Sequence, residues 1–231
     1  DNLSLSDKWI LTRLNETIKE VTNNMEKYEF NLVGSTLHSF IWNDFCDWYI
    51  EIAKSRIYSE DIKEKVAVCF VLDYVFRNSM KLLHPFMPFV TTQVYRNLAN
   101  YDAQELMISE WPKAKEVDFE KEEKVIENIK EIIVEIRNIR AKMNVHPSRK
   151  VELIFVTSKY QEEIETSKDF IQKLGFGSIV KVQSDKTGIA ENAISIVREG
   201  IELYMPIEGL VDLAEEAKRK EEERKKIEFE I

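Results

Sequence analysis

The sequence predicts a mainly α-helical protein: an antiparallel helical bundle, then a small α+β unit and a truncated C-terminal helix. Three observations predict it. Through the first half, apolar residues recur at three and four places, the period of one helix face. Near Val151 the period changes to two, that of a strand. Only 6 glycines stand against 32% charged residues in the 231, too few for a succession of tight turns.

Ser4 followed by Asp7 makes a capping-box-like start, after which Ile10, Leu14, Ile18, Val21, Met25 and Tyr28 keep helical spacing over about six turns. Asn31 can cap a second helix with Leu37, Ile41, Phe45, Trp48 and Ile52 on its apolar face and Asn43, Asp44, Asp47, Glu51 and Lys54 opposite. Its aromatic stretch IWNDFCDWYIEIAKSRIY therefore reads as core, with the acids turned outward. A third helix, 64–83, is apolar on most sides through VAVCFVL, so burial on several sides is expected. Asp73, Arg77 and Lys81 form its polar stripe at spacings of four. HPF at 84–86 stops it, and Pro88 can open a short fourth helix through Leu98. Short connections make these four an antiparallel bundle.

Beyond SEWP (109–112), Asp118 can cap a long helix with Ile126, Ile129, Ile133, Ile136 and Ile139 on one face, ending at NVHP. VELIFVT then reads as a strand, 159–174 as a helix stopped by Gly175, and IVKV as a further strand. AISIVREGIELYMPI is a hairpin turning at Glu199 and Gly200. From Leu210 the chain is polar nearly all round and reads as the stub of a projecting coiled coil. The expected division is 1–115, a helical bundle; 116–208, the long helix with a small α+β unit; and 209–231, the stub.

With 44% hydrophobic residues a sizeable core is available, while 42 acids against 33 bases leave a net charge of -9. No apolar run approaches the roughly 18 residues of a membrane span, and DNLSLSDKW is no secretion signal, so a cytoplasmic protein with no membrane partner is expected. Cys46 and Cys69 are too few and too far apart for a disulfide framework or metal pair; both are expected reduced, in the core. A start at Asp1 and a finish in a charged helical run suggest that both ends are cut.

GxxxxGK[ST], GxGxxG after a strand and HExxH are all missing, and His38, His84 and His146 lack metal spacing. No catalytic residue, metal ligand or cofactor is expected within the chain. Against the acidic total, Arg137, Arg140, Lys142, Arg149 and Lys150, with His146 among them, form a basic cluster. It reads either as a set of phosphate contacts or, for Arg137, Arg140 and Lys142, as cations that complement a helix C-terminus.

Six segments carry a resemblance. SDKWILTRLNETI, IWNDFCDWYIEIAKSRIY, LLHPFMPFVT, SEWP, IRNIRAKMNVHPSRKV and MPIEGLVDL resemble, in order, the C-terminal part of bacterial valyl-tRNA synthetases, over nearly the whole chain. MPIEGLVDL leading into a charged helix is similar to the start of that family's coiled-coil arm. The chain departs from it after HPFMPF, where Thr91, Thr92 and Gln93 replace the usual TEE. KMN at 142–144 is a chance match to the KMSKS signature, and HIGH is missing.

The resemblance implies a module that binds the anticodon loop of tRNA(Val) and positions it for ATP-dependent aminoacylation. The catalytic and editing domains, with ATP and magnesium, would lie upstream in the same chain. It also points to Lys8, Trp9 and Arg13 as the anticodon-facing residues, with Arg77, Asn78 and Lys81 as further candidates. Trp9 and Arg13 are one turn apart and can share a face; a core anchor and a surface salt bridge are their alternatives. Once tRNA is the expected partner, the Arg137 to Lys150 cluster becomes a candidate for contact with its backbone. Competing readings are the equivalent region of an isoleucyl or leucyl enzyme, and a helical interaction module with a coiled-coil tail.

Overall fold

The structure is a computed structural model and describes residues 3–98, 105–116 and 118–206. It divides into two compact units, Asp1–Ile126 and Glu127–Ile231. The chain is mainly helical with one small sheet, as the apolar periods predict.

In the first unit, α1 (Leu5–Glu26) opens on a complete capping box: the Ser4 hydroxyl accepts from the Asp7 amide, and the Asp7 carboxylate accepts from the Ser4 amide. It closes on a Schellman motif, in which the Tyr28 and Glu29 amides donate to the carbonyls of Met25 and Asn24. The left-handed position usually given to glycine is held by Tyr28 at φ 60°. A side chain there costs about 1–2 kcal/mol.

The second predicted helix is continuous in space and irregular in winding. Residues Phe30–His38 (α2) and Ile50–Ile57 (α3) are α-helical, and Ser39–Tyr49 between them are wound as a π-helix. A helix of α-period turns its side chains about 100° per residue, and the wider π turns change that phase. Asp44, expected to point outward, is consequently buried, and Trp42 is exposed.

The antiparallel partner α4 (Ile62–Leu83) is capped by Asp61, whose carboxylate accepts from the Lys63 amide. Its inner face is Val68, Val71, Val75, Ser79 and Leu82. Burial on several sides does not occur among the described residues: Ile62, Val66 and Phe70 are exposed, and so is Cys69, for which the sequence predicts a place in the core. Cys46 is half-buried. The short α5 (Pro88–Arg96) starts on its proline and joins Met80, Tyr95 and Leu106 in a local apolar cluster. The following segment returns along α1: the Trp111 indole donates to the Thr22 hydroxyl at 2.9 Å, and the Lys115 amide to the Asn15 side chain at 3.0 Å.

The long α6 (Glu120–Lys142) contributes its first turns to the first unit and the rest to the second. Of the predicted stripe, Ile126, Ile129, Ile133 and Ile136 are fully buried and Ile139 is half-buried; Val125 and Ile132 join the buried face. Four strands follow, β1 (Val151–Val156), β2 (Gly177–Gln183), β3 (Ile194–Arg198) and β4 (Ile201–Met205), in the sheet order β2-β1-β4-β3. β1 and β2 run parallel, as the crossover between them requires, and β3–β4 is the predicted hairpin. That crossover holds two helices where one was expected, α7 (Gln161–Thr166) and α8 (Lys168–Leu174), broken at buried Ser167. The predicted stub at 209–231 lies outside the described residues.

Gly200 turns the hairpin at φ +76°, and a Cβ there would meet the Tyr160 ring at 2.9 Å. Gly188 has φ +79° with nothing within 4 Å. Gly200→Ala is therefore expected to destabilise the second unit by about 1–2 kcal/mol, and Gly188→Ala by less. Equal shifts of the two denaturation midpoints would remove the Tyr160 contact from the account.

Candidate nucleic-acid interface

The residues singled out by resemblance do not share one place. Arg56, near the end of α3, donates to Ser4 and Asp7 at the start of α1 and pairs with Glu64 at the start of α4. At the other end, the ring of Phe30 at the start of α2 meets that of Phe86, just past α4. Lys8, Trp9 and Arg13 thus lie toward the first end of the bundle, and Arg77, Asn78 and Lys81 toward the second. A 22-residue helix such as α1 spans about 33 Å at 1.5 Å per residue.

Trp9 is completely buried, so its ring is a core anchor and not a stacking platform. Lys8 bonds Glu122 at 2.8 Å and lies over the Phe119 ring. Burial opposes ionisation of Glu122, but the Lys8 bond and neighbouring charge hold its carboxyl below the ordinary range. Arg13 bonds Asp44 at 3.1 Å, pairs with Glu16, and sits 3.7 Å from Glu123. It opens onto a cleft of about 350 Å³ lined also by Glu16, Glu20, Ser35, Thr36 and Ser39. Acids on that rim repel a phosphate.

Toward the opposite end, Arg77 bonds Asp73 at 2.7 Å, which raises its pKa, and stacks over the Tyr95 ring. The Asn78 amide donates to the Tyr74 carbonyl, and Lys81 is half-buried. Beside them stands a feature the sequence reading missed. Tyr28, Phe30, Phe86 and Phe89 are all exposed, Tyr28 at 79% and Phe89 at 89%. Tyr28 and Phe30 meet edge to face at 6.1 Å, and Phe30 and Phe86 at 6.4 Å. The available signal was aromatic residues in and just after the two interhelix turns, YEF at 28–30 and FMPF at 86–89, where polar residues are usual.

In the second unit the basic cluster separates by burial. Arg140 is only 4% exposed; its Nη2 donates to the carbonyls of Arg149 at 2.7 Å and His146 at 3.2 Å, and its guanidinium lies over the Phe176 ring. Its Nη1 has no hydrogen-bond partner among the described residues, and burial pushes its pKa down. Arg140 is therefore a clamp on the 143–150 loop, not a surface contact. Arg137 donates to the Leu174 carbonyl at 3.1 Å, a structural bond the sequence could not specify. Both arginines bond backbone carbonyls outside α6, Arg137 at the end of α8 and Arg140 in the loop that follows α6. Lys142 and Lys150 are exposed and Arg149 is half-buried, all three around a loop that leaves α6 through left-handed Asn144.

No described cluster of His, Cys, Asp and Glu is arranged to hold a metal, and no described helix is long and apolar enough to cross a membrane.

The anticodon-binding domain of tRNA ligases matches residues 7–155. This chain belongs to that family. The anticodon-binding domain match covers the helical unit, α6 and most of β1. Relatives extend the likeness over the remainder: the valine–tRNA ligase of Clostridium acetobutylicum is 39% identical over 100% of the chain. Those of Listeria monocytogenes, at 42% over 96%, and Bacillus subtilis, at 38% over 99%, agree. The chain spans about a quarter of the length of these relatives, 25–26%.

Proposed function

We propose that this chain is the tRNA-binding part of a valine–tRNA ligase, holding the anticodon loop of tRNA(Val) at the aromatic end of its helical unit. The observation that carries this is the exposed group Tyr28, Phe30, Phe86 and Phe89 in a member of an anticodon-binding family. Single-stranded bases stack on such rings, and each stacked base is worth about 1–3 kcal/mol. The left-handed Tyr28 supports the same reading, because backbone strain concentrates where a side chain must be presented.

In this reading Arg77 and Lys81 flank the rings as phosphate contacts, with Asn78 beside them on α4. Lys142, Arg149 and Lys150 meet RNA backbone from the second unit. Lys8 and Arg13 act mainly by tying α1 to acids around it. Valine activation with ATP and magnesium, and its transfer to tRNA in the cytoplasm, belong to the catalytic part of such an enzyme, and removal of mischarged products to its editing part. This chain positions the tRNA for them.

Titration with transcribed valine tRNA and an anticodon-altered control tests the proposal. Phe30→Ala and Phe89→Ala are each expected to weaken cognate binding by about 1–3 kcal/mol, roughly 5- to 150-fold, and to narrow the difference between the two RNAs. Lys142→Ala with Lys150→Ala should instead reduce the salt slope by about 1–2 without changing discrimination. Cognate affinity untouched by both aromatic replacements would overturn the assignment of the site.

A further inference from the structure

We propose that the exposed stripe on α4, Ile62, Val66, Cys69 and Phe70 with Tyr58 ahead of it, is a docking face for the part of a valyl-tRNA ligase that precedes the residues matched here. The inference rests on the proposed reading of this chain as part of a valine–tRNA ligase and on the relatives' length, and needs no assumption about where RNA binds.

The stripe is continuous. Ile62, Val66 and Phe70 follow at spacings of four, so they line one side of the helix with Cys69 beside them. They are 75%, 61% and 69% exposed, and Tyr58 is 82% exposed. Phe70 is extended further by Tyr74, whose ring stacks on it at 6.4 Å. The opposite side of α4 is already committed to the bundle through Val68, Val71, Val75 and Leu82. A helix apolar on both sides is one that is covered on both sides, and the described residues cover only one. Glu60, Asp61, Lys63 and Lys65 rim the stripe, an arrangement that marks an interaction surface.

Two observations select the occupant. The first is position. Arg56 ties Ser4 and Asp7 to the α3–α4 turn, donating at 2.8 and 2.7 Å. Residue 4 therefore lies next to the head of the stripe, and the polypeptide that leads into it reaches Tyr58 and Ile62 without a long linker. The relatives carry some three quarters of their length outside the matched part, which is a C-terminal part of them.

The second is size. Two aromatic rings of about 150–250 Å² each, with the aliphatic residues between them, give a patch on the order of 500 Å². That falls short of the roughly 800 Å² per partner of a stable complex between separate molecules. It is close to what suffices between domains of one polypeptide, where linkage supplies an effective concentration on the order of millimolar. A second copy of this chain has no such assistance.

Cys69 provides the readout, because it sits within the stripe and is exposed in this chain. Its alkylation by N-ethylmaleimide, followed by mass spectrometry of its peptide, is compared between the 231-residue chain and the full-length ligase that contains it. Alkylation is expected to be at least tenfold slower in the full-length protein. Val66→Arg should restore fast alkylation there, while leaving the melting temperature of the 231-residue chain unchanged. Equal rates in the two proteins overturn the proposal. Slow alkylation in the 231-residue chain that quickens on dilution also overturns it, since the occupant is then a second copy. No tRNA is present in the assay, so its failure leaves the anticodon reading standing, and loss of tRNA binding leaves this one standing.

Discussion

Trp9→Ala is expected to lower the stability of the helical unit by about 3–5 kcal/mol, the range for truncating a buried tryptophan. Trp9 is among the largest fully buried side chains, on a face of α1 shared with other buried residues such as Ile10 and Leu14. Removing the indole opens a cavity that close-packed neighbours fill only in part. Urea unfolding followed by circular dichroism should show a lower midpoint with the slope unchanged. The same variant, measured well below its midpoint, should bind tRNA as the parent does. A fall in tRNA affinity with no change in midpoint would return Trp9 to the binding surface.

Asp7→Ala is expected to destabilise the same unit by a comparable amount, about 3–5 kcal/mol, because it breaks a buried charge pair from one side. The Asp7 side chain has no exposed surface, and its carboxylate accepts at 2.7 Å from both the Tyr49 hydroxyl and the Arg56 guanidinium. Alanine strands both donors and also removes the return bond of the capping box, from the Ser4 amide at 2.9 Å. Burial, with Asp7 adding to it, holds the Tyr49 phenol well above its ordinary pKa, so it stays a neutral donor. A group whose folded pKa is raised contributes fully below its unfolded value. The Tyr49 contribution is therefore constant below about pH 10 and is lost only above it. Asp7→Asn, which keeps the shape and drops the charge, should fall between parent and alanine. Midpoints for Asp7→Ala and Ser4→Ala that coincide would reduce Asp7 to an ordinary helix cap, worth about 1 kcal/mol.

Much of the fold was legible because helix and strand periods are local properties of the chain. The α1 capping box was visible as Ser4 and Asp7, and the isoleucine stripe of α6 as a spacing of three and four. Other features depended on winding or on contacts distant in sequence. Asp44 was assigned outward on an α-helical wheel; the π turns of Ser39–Tyr49 rotate it inward to Arg13, 31 residues away in sequence. Gly175 ends its helix, as the sequence predicts, but the left-handed residue that follows is Phe176, which faces the Arg140 guanidinium. Arg140 itself was read as a basic surface residue, since a guanidinium gives no local sign that backbone carbonyls of a loop will enclose it.

The sequence by itself determined that this chain is a helical bundle with a small α+β unit, and its ordered segments carried the resemblance to valyl-tRNA synthetases. Periodicity states which residues share a face, and six motifs in order state kinship. Neither states which end of a helix a turn will crown, or whether a face will find a neighbour. Only the tertiary structure separated Lys8 and Arg13 from the aromatic end, sank Trp9 and Arg140, and left one side of α4 uncovered among the described residues. The physical reason is that burial is a property of packing between segments far apart in sequence, set by which surfaces meet after the helices have formed.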